Sequence, residues 1–278
     1  MGQQAPDFLA IGCITLDKVS TGYTLGGTAV YAAITARNLG YSVAILTSGA
    51  PPEVQDLRDR GICVYSIPSA STTIFENMYQ RGHRTQYLRS VADVIHPADL
   101  PAAWKGAATV HLGPVAQEVD PLFSTSFEHS LVGVTPQGWM RAWDETGRVR
   151  FHPWDTARQL LDHVDVLVFS EQDVNGETQL VEQYAAMAKL AVVTRGDQGC
   201  DLMIDGTLHR LPAYPTQEVD PTGAGDVFAA AFLIRMEEHG DPFDAANFAN
   251  CVASFAVEAP GISGIPTSAQ VADRFRSR

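Results

Sequence analysis

Residues 218–232 read Glu-Val-Asp-Pro-Thr-Gly-Ala-Gly-Asp-Val-Phe-Ala-Ala-Ala-Phe. A β-favouring lead-in stops at Asp220-Pro221, a small-residue turn follows, and an apolar helical run from Val227 to Met236 begins at once. Glycines at 223 and 225 let the backbone approach a ligand closely. The first-turn amides of the helix have no intrahelical acceptors, and the macrodipole adds partial positive charge there. Such a place suits the charge that develops on a transferring phosphoryl group. A carboxylate beside it, Asp226, repels what the turn attracts. That makes sense if Asp226 takes the proton of a hydroxyl attacking phosphorus. An ordinary capping carboxylate in a first helical turn fits the same letters. On these residues alone both readings stand.

At 278 residues and 45% hydrophobic content the chain can fill a large core. A formal net charge of −13 argues against general affinity for nucleic acid or anionic membrane, and so against both as partners. It leaves room for a nucleotide, because Mg²⁺ supplies local positive charge. The four cysteines (13, 63, 200, 251) lie far apart and read as core residues in a reducing compartment. The first residues lack a signal core, Pro6 spoils the Met-Gly acylation pattern, and no apolar run approaches a membrane span. The expected location is cytoplasmic. No Gly-x-x-x-x-Gly-Lys-Ser/Thr, His-Glu-x-x-His or Gly-x-Ser-x-Gly occurs, which argues against P-loop, zincin and hydrolase chemistry.

Working outward, Phe8–Ile14 predicts a strand buried on both faces, with Asp17 just past its carboxyl end. Ligands bind at such ends in open α/β sheets, though turns also favour Asp. Leu25-Gly26-Gly27-Thr28-Ala29 opens a helix to Leu39-Gly40 with Ala29, Ala32, Ala33 and Ala36 at helical spacing. Further strands are expected at 42–47, 63–67, 108–112, 131–134, 164–169 and 190–194. Helices are expected at 53–60, 118–129 and 241–258, with a last one on the surface. Hairpins are expected across Gln80–Arg84 and across Asp205-Gly206. Ser170-Glu171-Gln172-Asp173 can organise Mg²⁺ through water or simply cap a helix. Glycines 196 and 199 suit a hairpin or a nucleotide-hugging loop. Arg141 reads as a phosphate or substrate contact, or as a surface arginine. The alternation predicts one α/β domain over 1–278, a mostly parallel central sheet flanked by helices, with a small β lid within 72–88.

Asp-Pro-Thr-Gly-Ala-Gly-Asp at 220–226 resembles the C-terminal signature of the ribokinase (PfkB) family of carbohydrate kinases. The Gly26-Gly27 element with its helix ending in Leu39-Gly40, and Thr194-x-Gly196-x-x-Gly199, are similar to two further family elements. The resemblance covers nearly the whole chain. It implies an ATP-dependent phosphotransferase with Asp226 as base and Gly223, Ala224 and Gly225 as an anion hole. It implies acceptor contacts from Asp17, Gly26, Gly27, Thr28 and Arg141, and ATP contacts from Thr194, Gly196, Gly199 and Asn250. It places Mg²⁺ near Asp173 and Glu171, where Ser170 and Asp173 stand for the family's Asn-x-x-Glu, and a monovalent cation near Asp220 and Thr222. Strands inserted near 72–88 would cover a small polyol or sugar. Tyr31 departs from the Asn common in the family. Several strings, among them Pro97–Pro101, Gln137 and Arg141, look like the myo-inositol kinase branch, so myo-inositol is the expected acceptor. A sugar or nucleoside kinase of the same family, or a silent ligand-sensing member, are the alternatives. Oligomeric state is open.

Overall fold

The short, largely apolar runs at 8–11, 43–46, 109–112, 131–134, 166–169 and 190–193 become strands buried between two layers of helix. The computed structural model describes residues 4–20, 22–49, 54–80 and 83–277. In chain order it has β1 (Phe8–Ile11), β2 (Thr15–Val19), β3 (Gly22–Gly26), α1 (Thr28–Asn38), β4 (Val43–Ser48), α2 (Val54–Asp59) and β5 (Cys63–Ile67). Next come β6 (Ile74–Gln80), β7 (His83–Ser90), β8 (Thr109–Leu112), β9 (Leu131–Val134), β10 (Arg141–Trp143), β11 (Val149–Phe151) and α3 (Ala157–Leu161). The chain continues with β12 (Val166–Ser170), α4 (Thr178–Ala185), β13 (Leu190–Thr194), β14 (Cys200–Ile204) and β15 (Thr207–Leu211). It closes with α5 (Ala224–His239), α6 (Pro242–Ala256) and α7 (Ser268–Arg276).

The central sheet runs β15-β14-β13-β12-β9-β8-β1-β4-β5. From β13 to β5 every pairing is parallel, and β14 and β15 add an antiparallel hairpin at one edge. One apolar layer packs α1, α5 and α6 on one face of the sheet, and a second packs α3 and α4 on the other. The helix read from the opening stretch is the hub of the first layer: Val227 through Ile234 are all buried. A helix apolar all round belongs in the middle of a core, not on its surface. All four cysteines are free thiols, three of them fully buried, as expected of core residues. Among the described residues no helix is long and apolar enough to cross a membrane.

Three expectations change. Thr15-Leu16-Asp17 does not end the first strand but opens β2, because the chain leaves the central sheet there. The lid is accordingly a four-stranded sheet, β3-β2-β6-β7, rather than one hairpin. Residues 81 and 82, in the expected turn of that hairpin, lie outside the described residues. The helix expected over 118–129 does not form. Gln117 adopts φ 62°, and the buried Glu118 carboxylate folds back onto the amides of Cys13 and Val115, both at 3.0 Å, and of Ala116 at 2.6 Å. Only a 3₁₀ turn, Pro121–Thr125, follows, capped by Asp120. The β10–β11 hairpin carried no sequence signal strong enough to separate it from a loop. It reaches the lid, where Leu88 of β7 donates to the Gly147 carbonyl at 2.8 Å.

Phe232 is fully buried at the centre of α5. Phe232→Ala is expected to cost about 3–5 kcal/mol through lost burial and a residual cavity. Urea unfolding should show this as a lower midpoint at unchanged slope.

Candidate active site

The sheet order reverses between β1 and β8: the chain builds outward through β4 and β5 on one side, and through β8, β9, β12 and β13 on the other. A crevice opens outside the carboxyl ends of strands at such a switch point. Small residues bring the walls together here. A β-carbon on Gly12 would stand 2.3 Å from the Gly113 carbonyl oxygen, and one on Gly113 would stand 2.4 Å from Thr28 Cγ2. Gly27, at φ 97°, takes a backbone conformation few side chains tolerate and starts α1 at Thr28. The Thr28 hydroxyl then donates to Asp226 Oδ1 at 2.8 Å.

Asp226 stands in the first turn of α5, and burial pushes its carboxyl up to about 6. The Thr28 hydrogen bond and the Arg141 charge pull the other way, while the Asp173 charge adds to the rise. Preceding it, Gly223 is left-handed at φ 78°. Asp220 fixes this turn: its Oδ1 accepts from the Thr222 amide and its Oδ2 from the Gly261 amide, both at 3.0 Å. Within the expected anion hole the Ala224 amide is spent on the Pro221 carbonyl at 3.2 Å. The amides of Gly223 and Gly225 remain without a backbone acceptor among the described residues. A monovalent cation at Asp220 and Thr222 would have to share carboxylate oxygens that already accept these amides.

On the lid side, Asp17 lies against Gly26, where a β-carbon would stand 2.4 Å from its Oδ2. Arg141 opens β10, donates from Nη1 to the Val115 carbonyl at 2.9 Å, and holds its guanidinium 5.3 Å from the centre of the Phe75 ring on β6. Gln137 donates to Asp173 Oδ1 at 2.7 Å. Asp173 Oδ2 accepts from the Ser170 amide at 2.9 Å, which completes a capping box at the end of β12. The capping reading of the 170–173 stretch thus holds, and the Asp173 charge in addition acts on Asp226.

The expected donor residues gather at the neighbouring strand end, where Ser170 of β12 is in register with Thr194 of β13. Gly196 and Gly199 shape the short loop after it, at φ 56° and 94°. Asn250, buried on α6, donates to the Pro212 carbonyl at 3.4 Å and lies 3.5 Å from Cys200 Sγ. Glu171 takes a different partner from Asp173: Arg195 binds its Oε2 at 2.7 Å and also binds Asp201 at 2.5 Å. Among the described residues no three His, Cys, Asp or Glu side chains converge as a metal site. Asp173 still fits Mg²⁺ held through water and substrate phosphates, which needs only one or two carboxylates. Glu171, tied to an arginine, fits poorly. Sequence reasoning missed the Glu118 clamp under this site, since a lone glutamate in a polar stretch carries no signal of burial.

Residues 148–268 match the profile of the pfkB family carbohydrate kinases. The chain is 28% identical over 190 residues to a fructokinase of Klebsiella pneumoniae, covering 62% of this chain and 61% of that one. It is 32% identical over 118 residues to a ribokinase of Bacillus subtilis, covering 41% and 40%. These matches thus span less than two thirds of the relatives' own length. Among solved structures the chain superposes at TM-score 0.80 on a pyrophosphate-dependent kinase in the ribokinase family, complexed with a pyrophosphate analog and myo-inositol. That match is 24% identical and covers 95% of this chain and 99% of the other. Arabidopsis thaliana ribokinase complexed with ribose and ATP superposes at 0.77, with 20% identity and coverage of 98% and 99%. At these identities the superpositions are likenesses of fold. The 220–226 signature lies within the stretch that matches the pfkB profile, and the fold around it is the ribokinase-like one.

The Thr28 hydroxyl stabilises ionised Asp226, so Thr28→Val should move the Asp226 titration to higher pH. Carbon-13 NMR of the labelled carboxyl should give a midpoint near 6 in the native chain and a higher one in the variant. Coincident midpoints would contradict the assignment.

Proposed function

We propose that the chain moves the terminal phosphoryl group of ATP onto a hydroxyl of a small neutral polyol or sugar, with myo-inositol the favoured acceptor. The observation that carries this is Asp226 beside the unspent amides of Gly223 and Gly225 at the start of α5. A carboxyl raised to about 6 is ionised at neutral pH yet basic enough to receive a hydroxyl proton as phosphorus is attacked. The amides, with the helix dipole behind them, stabilise charge on the transferring group. Asp17 and the Gly26-Gly27 turn hold the acceptor under the lid, and Arg141 reaches it from β10. Thr194, Gly196, Gly199 and Asn250 line the donor side. Mg²⁺ would be held by Asp173 through water, neutralising donor phosphates.

Pyrophosphate is the second reading for the donor. A structural relative of equal extent is named for it. Asn250, expected near the nucleotide base, has its amide turned onto Pro212 and Cys200.

Purified protein assayed with Mg-ATP or Mg-pyrophosphate against inositols, pentoses, hexoses and nucleosides decides donor and acceptor together. Asp226→Asn should lower kcat by about a hundredfold or more while leaving donor binding nearly intact. Undiminished turnover would remove the base assignment. Donor binding with no product for any acceptor would favour the ligand-sensing alternative. In the native protein kcat/KM should rise with pH through about 6 and level off above it, because protonated Asp226 cannot accept a proton.

A further inference from the structure

Tyr31 lies one turn into α1, only 4% exposed, with its amide on the Gly27 carbonyl at 3.3 Å. Its ring runs beneath the turn that starts α5. A β-carbon on Gly223 would fall 2.2, 2.3 and 2.5 Å from ring atoms Cε1, Cδ1 and Cζ, and one on Gly261 would fall 3.8 Å from the hydroxyl. The ring therefore rests against the α-carbon of Gly223, and its hydroxyl end extends toward the 261 turn. Those are the two segments that Asp220 ties together. Burial and the charges of Asp226, Asp17 and Asp220 keep the phenol protonated well above its usual range. The hydroxyl is thus a permanent donor facing carboxylates, and no side-chain hydrogen bond among the described residues engages it.

We infer that Tyr31 selects the acceptor and positions the phosphoryl cradle: its ring carries the Gly223 turn, and its hydroxyl binds a hydroxyl of a neutral polyol held between Asp17 and Asp226. The inference rests on the phosphotransferase reading above. The charge of the pocket narrows the acceptor class. The charges of Asp226, Asp17 and Asp220 act on the phenol, Asp173 adds to the charge at Asp226, and the cation acting on Asp226 is Arg141. A sugar acid or sugar phosphate would meet net repulsion there, whereas a neutral polyol can donate to the carboxylates and accept from Tyr31.

The test compares the native chain with Tyr31→Phe and Tyr31→Leu, using the preferred neutral acceptor and gluconate. Tyr31→Phe keeps the ring and should raise the acceptor KM about tenfold, the cost of one hydrogen bond, with the donor KM unmoved. Tyr31→Leu withdraws the ring from Gly223 and should in addition lower kcat about tenfold or more, with a folded melting profile. Equal acceptor KM for the native chain and Tyr31→Phe overturns the inference, as does an equal rise in both KM values, or gluconate outrunning every neutral acceptor. Calorimetric titration of the acceptor needs no turnover and should show the same tenfold difference in Kd. A native chain that forms no product with any acceptor would sink the phosphotransferase reading, whereas equal Kd values would sink the role of Tyr31.

Discussion

One hydrogen bond, from Thr28 to Asp226, joins helices whose residues stand 198 apart in the chain. It exists because three conditions are met together. Gly113 has no side chain to hold Thr28 away, Gly27 turns the chain into α1 at that point, and α5 is packed so that its first turn cannot drift. The same bond decides the chemistry available to Asp226. Withdrawal from water favours the neutral carboxylic acid, and the threonine hydroxyl favours the ion. Burial wins, but only as far as about 6, which leaves a carboxylate that is charged at neutral pH and still willing to take a proton.

Around that centre the strand ends divide the labour. In the proposed reading the β1 and β8 ends, with the sheet that springs from β1, form the acceptor side, and the β12 and β13 ends form the donor side. Electrostatics differ across the divide. The acceptor side concentrates carboxylates with Arg141 among them, while on the donor side Arg195 holds Glu171 and Asp201 together and Arg210 adds a second cation on Asp201. Asp201 is nearly inaccessible, so these contacts offset the cost of burying its charge more than they add net stability.

What could be read from the letters follows a physical line. The central strands and α5 were legible because burial on both faces, or all round, writes an unbroken apolar run. The 220–226 turn was legible as the start of a buried helix because spaced glycines stand directly before an apolar run, whereas its chemical role was read only through the family resemblance. Asp173 was legible, but its bond to Gln137 was not. That contact joins residues 36 apart through a 3₁₀ turn no periodicity marks. The lid was read as a hairpin and is a four-stranded sheet, because β2 and β3 are short, half-exposed and mixed in polarity. The helix expected over 118–129 failed for a related reason. Its composition permits a helix, but Glu118 is held by the amides of Val115, Ala116 and the distant Cys13, and Gln117 turns the chain at φ 62°.

The complete burial of Val227–Ile234 in α5 has a consequence for how such a chain can change over generations. Asp226 stands at the start of a helix whose Val227–Ile234 segment is buried throughout, so almost any substitution there is felt at Asp226 as a loss of stability or of aim. Lid strands β2, β3, β6 and β7 carry many exposed or half-exposed residues. On the proposed phosphotransferase reading, acceptor preference is therefore free to wander along these strands while the Asp226 centre stays fixed. The exceptions are residues such as Tyr31 that serve both: a change there alters which molecule is held and how well the turn that holds its phosphate is supported.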